Sequence, residues 1–108
     1  MQPGHLDALW GATLDRADWD VPRHFLAITI LVSSPAGKTV RTLECSGIGE
    51  LRFFSSVPRE WEHTEITEIH ASTTPAGAHQ IEFVLWSEDA GLVVTAETIT
   101  LDGEPIAS

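Results

Sequence analysis

Alternation of apolar and polar positions dominates this chain. From His24 to Val32, Leu26, Ile28, Ile30 and Val32 fall on one side of an extended segment. Phe25, Ala27, Thr29 and Leu31 fall on the other, so both sides are mostly apolar and the strand is expected to be central and covered twice. From His79 to Trp86 the pattern is cleaner: Ile81, Phe83 and Leu85 inward, and Gln80, Glu82, Val84 and Trp86 outward. Thr39 to Ser46 is a further strand rich in Thr and Val. Gly47-Ile48-Gly49 breaks it, and Glu50 to Phe54 resumes with Leu51 and Phe53 inward. Leu92 to Leu101 changes phase, from Leu92, Val94 and Ala96 to Ile99 and Leu101, which predicts a bulge near Glu97-Thr98. Thr64 to Thr73 is the ambiguous element. Ile66 and Ile69 at i, i+3 suit a helical turn or a bulged strand, and the β-branched density favours strand. The expected core residues are Ile28, Ile30, Leu51, Phe53, Ile81, Phe83 and Leu85.

Only the first segment has helical spacing, with Leu6, Leu9, Trp10 and Leu14 on one face and Gly11 near its end. Asp15 to Asp20 reads as a polar connection. Ser33-Ser34-Pro35-Ala36-Gly37-Lys38 and Thr73-Thr74-Pro75-Ala76-Gly77-Ala78 are near-identical turns: proline presets φ, and glycine supplies a positive one. Short strands joined by such turns predict one mainly β domain spanning residues 1–108. Its architecture is expected to be an antiparallel β-sandwich or a strongly curved sheet with a short N-terminal helix.

Charge changes the picture from fold to partners. The net charge is −10, with six Lys and Arg against sixteen Asp and Glu. Up to Arg59 the charges cancel; from Glu60 onward there are eight Glu, two Asp and no base. Nucleic acid and anionic membranes need basic stripes that six scattered cations do not supply, so neither is an expected partner. No apolar run approaches the roughly 18 residues of a membrane span. The opening Met1-Gln2-Pro3-Gly4-His5 has no secretory pattern, and Cys45 is the single cysteine. A cytoplasmic, bacterial-type protein is the expectation.

The candidate chemistry is sparse. Within Glu60 to His70, a strand would place His63 and Glu65 on one face and Glu68 and His70 on the other. That spacing matches no metal motif, so no metal is expected. The acids do not suggest a glycosidase pair in a chain without a large cleft. Cys45 reads as a small buried residue, and Gly47-Ile48-Gly49 is too short for a dinucleotide fingerprint. The expectation is therefore a non-enzymatic protein without a cofactor. Its binding face would consist of Glu62, Glu65, Glu68, Glu82 and Glu97, with Trp61 or Trp86 at the border and a basic protein as partner. The alternative is a small-molecule or carbohydrate binding module using exposed Trp residues, with Trp86 the best placed. An exposed strand edge would also permit a homodimer.

Three segments, Gly49-Glu50-Leu51-Arg52-Phe53, His79-Gln80-Ile81-Glu82-Phe83 and Thr95-Ala96-Glu97-Thr98-Ile99-Thr100-Leu101, carry a resemblance to small acidic all-β proteins of bacteria. Some of those are immunity proteins that neutralise toxins. The resemblance covers less than a fifth of the chain. It implies a non-enzymatic protein that masks a basic partner.

Overall fold

The alternating segments become seven antiparallel strands of one hydrogen-bonded sheet. A computed structural model describes residues 6–56, 64–86 and 90–106. The strands are β1 (Thr13–Asp20), β2 (Phe25–Ser34), β3 (Gly37–Ser55), β4 (Ile66–Thr73), β5 (His79–Leu85), β6 (Ala90–Leu101) and β7 (Glu104–Pro105). Their order is β1-β2-β3-β6-β5-β4, and β7 pairs with the end of β6. The sheet curves until its two outer strands meet. Thr13 bridges Glu65, Leu14 N–H donates to Thr64 C=O at 2.8 Å, and Ile66 N–H donates to Ala12 C=O at 2.8 Å. Beyond that meeting point the two strands share no ladder, so the strongly curved open sheet, rather than a closed barrel, describes the chain.

β3 and β6 are long because they run through both halves of the curve. The first part of β3 pairs with β2, from Ser34↔Gly37 to Phe25↔Ser46. From Leu43 onward β3 pairs with β6 on its other edge, from Leu43↔Leu101 down to Ser55↔Ala90, and β6 in turn carries β5. The expected break at Gly47-Ile48-Gly49 is thus a bend in one continuous 19-residue strand. Gly47 has φ of 67°, and Gly49 is the extra residue that shifts register between Ile48 and Glu50. The phase slip foreseen in β6 occurs at Glu97-Thr98. There β6 keeps its register with β3, because Cys45 and Ile48 slip in step with Ile99 and Ala96. Corners where strands pass from one layer to another are commonly made this way.

The concave side holds the core. Leu26, Ile28 and Ile30 from β2 meet Leu43, Cys45 and Ile48 from β3, Ile66 and Ile69 from β4, Ile81, Phe83 and Leu85 from β5, and Leu92 to Leu101 from β6. Five of the seven expected core residues are buried. Leu51 is half-buried, and Phe53 is 61% exposed although it points to the concave side. Alternation reports the side of a strand but not whether that side is covered at that level. The second face of β2 is only half covered, at Phe25, Ala27, Thr29 and Leu31, so β2 is not buried twice.

Two expectations at the N-terminus are corrected. The helical spacing yields one 3-10 turn, Leu6–Leu9, closed by Ala12 N–H donating to Leu9 C=O at 3.0 Å, rather than an amphipathic α-helix. A single turn bears the full cost of helix nucleation, and Gly11, at φ of 82°, leads the chain away. Leu9 is nevertheless wholly buried and anchors this turn to the core. The polar run Asp15–Asp20 is strand, not connection: Ala17 pairs with Ile28 and Trp19 with Leu26. An irregularity between Leu14 and Arg16 hid the alternation.

The turns form as their residues require. In the β4–β5 turn, Ala78 N–H donates to the Thr74 hydroxyl at 3.1 Å, with Gly77 at φ of 88°. At the β6–β7 turn, Asp102 accepts from Thr42 N–H at 2.9 Å and from the Arg41 guanidinium. Partial burial pushes the Asp102 carboxyl up, but these two donors outweigh it and hold the group below the usual carboxylate range. No helix among the described residues is long and apolar enough to cross a membrane.

Candidate functional site

Register decides which acids can act together. Ile69 pairs with Phe83 and Ile81 with Val94, all inward, so His70 and Glu82 look outward beside Val93 and Arg52. Glu68 pairs with Val84 on the same outer side. The extra residue between Ile66 and Glu68 is Thr67, and this bulge carries Glu65 to the outer side as well. The sequence reading had set Glu65 on the face opposite Glu68 and His70; a strand without the bulge would do so. Glu97 stands at the bend, its side chain occupying the space a Cβ on Gly47 would need, with Oε1 the nearest atom. Glu65, Glu68, Glu82 and Glu97 therefore all lie on the convex side. Glu62, Trp61 and His63 lie outside the described residues.

Not every charge on this side is negative. Glu50 is joined to Arg52 at 3.7 Å, and His70 Nε2 lies 2.9 Å from Glu68 Oε1. Of the other arginines able to neutralise the face, Arg41 is engaged with Asp102 instead, and Arg59 lies outside the described residues. Among the described residues of β3 to β6 on this side, six carboxylates (Glu44, Glu50, Glu65, Glu68, Glu82, Glu97) face the guanidinium of Arg52 and, at the far end of β3, the ammonium of Lys38. Trp86 does not border the face as an exposed ring. Its left-handed backbone, φ of 52°, turns the chain at the strand end, and the side chain is half-buried against the core. Trp10, 48% exposed, packs against His70 on this side, and a second exposed aromatic here is Phe54. Its ring lies over Gly91, where a Cβ would come within 2.5 Å of Cζ, and it is 52% exposed. The signal in the sequence was its place beside inward Phe53, opposite a strand glycine.

Among the described residues no three His, Cys, Asp or Glu side chains cluster as metal ligands. His70 instead packs edge-on to Trp10, with ring centroids 6.1 Å apart. Cys45 sits fully buried in the core, and this burial pushes its thiol up to about 12. A thiolate is the reactive form, so native Cys45 is expected to resist Ellman's reagent until the chain unfolds. Stoichiometric labelling in native buffer, at the rate seen in denaturant, would contradict this burial.

The second feature lies on the concave side. β2 begins at Phe25, opposite Ser46, so β3 from Gly49 to Phe54 pairs with β6 alone among the described strands. The sheet is thus open between this part of β3 and β1. A slot of about 390 Å³ occupies the opening. Ala17 and Trp19 of β1 and Leu51 and Phe53 of β3 form its sides; Leu26, Leu85 and Leu92 form its floor; Leu14 and Thr64, joined through their backbones, close one end. Trp19 is 39% exposed at its rim. The sequence reading missed the slot because it took Asp15 to Asp20 for a connection and counted Phe53 as core.

No known protein-family model matches the chain, and no curated protein is significantly similar to it.

Proposed function

We propose that the chain is a non-enzymatic protein-binding domain that presents the convex side of β3 to β6 to a basic partner, in the manner of the immunity-type proteins it resembles. The observation that supports this reading most is the gathering of Glu65, Glu68, Glu82 and Glu97 on one side of the sheet. A face with one sign of charge steers an oppositely charged partner and speeds its association. Phe54 supplies what charge alone lacks. A protruding aromatic ring amid polar residues is the usual anchor of a protein interface. The rigid four-stranded support beneath it limits the ordering cost of binding.

The test is a panel of basic proteins presented to the wild type and to two variants. A true partner should bind the wild type with an on-rate that falls steeply as salt rises from 0.1 to 1 M, where the Debye length shrinks from about 10 to about 3 Å. Replacing Glu65 and Glu82 by Lys should slow association by about tenfold or more. It should leave the melting temperature nearly unchanged, because exposed charges contribute little to stability. Phe54→Ala should speed dissociation. A partner bound equally well by the charge-reversed protein would remove the convex side from consideration.

A further inference from the structure

The slot on the concave side is independent of the acidic face, and its chemistry points to a different ligand. The geometry points to a binding site for a neutral, apolar small molecule of about two fused rings, held between Trp19 and Phe53. Three observations carry this. The first is size. Ligand pockets run from about 300 to 1,000 Å³, and an apolar cavity of roughly 150 Å³ holds benzene. The slot's 390 Å³ has room for about twice that.

The second is the lining. Leu14, Ala17, Leu26, Leu51, Leu85 and Leu92 offer only carbon, and the polar groups are those of Thr64 and the indole N–H of Trp19. Three residues of the floor, Leu26, Leu85 and Leu92, belong to the packed core, so the site is formed before a ligand arrives. Two aromatic rings at the mouth suit a flat guest.

The third is charge. Several ionic groups on the strands that form its sides pair with one another. Arg16 meets Asp18 at 2.9 Å and Arg23 meets Asp20 at 3.8 Å around β1, and Arg52 meets Glu50 on β3. Among the described residues no ionised side chain lines the slot, so a charged guest would lose its hydration without gaining a counter-charge there. A neutral guest pays no such penalty.

Calorimetric titration of the full chain with 2-naphthol, neutral at pH 7, and with 2-naphthoate, its anionic counterpart, tests this. The expected result is saturable 1:1 binding of the naphthol, with naphthoate at least tenfold weaker. Ala17 is exposed to the slot, so Ala17→Phe should fill the space without disturbing the core and lower naphthol affinity at least tenfold. Phe53→Ala, which removes one side, should also weaken it. Glu65→Lys with Glu82→Lys should not alter it, which separates this site from the acidic face. No saturable naphthol heat, equal binding of the naphthoate, or unchanged binding by Ala17→Phe would overturn the assignment. So would a wild-type dimer at micromolar concentration that Ala17→Phe converts to monomer, because the slot would then be occupied by a second copy.

Discussion

Truncating Phe83 to Ala is expected to destabilise the protein by about 3–5 kcal/mol, the usual loss for a buried phenylalanine. The side chain is wholly buried. Its strand, β5, lies between β4 and β6, so Phe83 pairs with Ile69 on one side and Leu92 on the other, all three on the concave side. Domains hold about 5–15 kcal/mol in total, so the variant would lose a large share of its stability. At about 4 °C or more per kcal/mol for a domain of this size, the melting temperature should fall by more than about 12 °C. Phe53→Ala provides the contrast. It lies on the same side of the sheet, directly across β6, yet it stands at the open slot and should cost far less. Equal losses for the two would mean that the slot is closed in solution.

That contrast shows what the sequence could and could not convey. Alternation assigned Phe53 and Phe83 to the same side correctly, since side-chain period is a local property of extended backbone. Whether a given level of that side is covered depends on where β2 begins along β3, which is a long-range register and leaves no local mark. The two turns with Pro-Ala-Gly were legible because their chemistry is local. β1 was not, because an irregularity after Leu14 spoiled its alternation and four of its eight residues are charged. The acids behave similarly. Their excess was plain from composition, but their side was not. A single inserted residue, Thr67, moved Glu65 from one face to the other, as any one-residue slip must. Phe54 as an exposed aromatic needed the knowledge that Gly91 lies opposite. The bend was partly legible: two glycines around Ile48 marked it, though as an interruption rather than a curve.

Gly47 carries the bend, and replacing it by Ala is expected to cost about 1–3 kcal/mol. Two effects add there. At φ of 67° an L-residue is in the left-handed region, which is unfavourable for a side chain with a Cβ. A Cβ would also collide with Glu97 Oε1 and lie 2.8 Å from its Cγ. The second effect is the weaker, because Glu97 is an exposed, flexible side chain that can swing away. The double variant Gly47→Ala with Glu97→Ala separates them: it should recover only a minor part of the loss. If instead it recovered nearly all of it, the backbone at Gly47 would tolerate an L-residue and contact alone would set the cost. The expected remainder is strain at the point where β3 and β6 change phase together. The same substitution should disturb both candidate sites, because that bend sets the angle between the half of the sheet carrying β1 and the half carrying Leu51, Phe53 and Phe54. Slower association with a basic partner and weaker naphthol binding should appear together in Gly47→Ala. In Glu65→Lys with Glu82→Lys only the first should appear, and in Ala17→Phe only the second. Urea unfolding followed by tryptophan fluorescence would measure the stability loss, and a midpoint equal to that of the wild type would show that the bend does not depend on glycine.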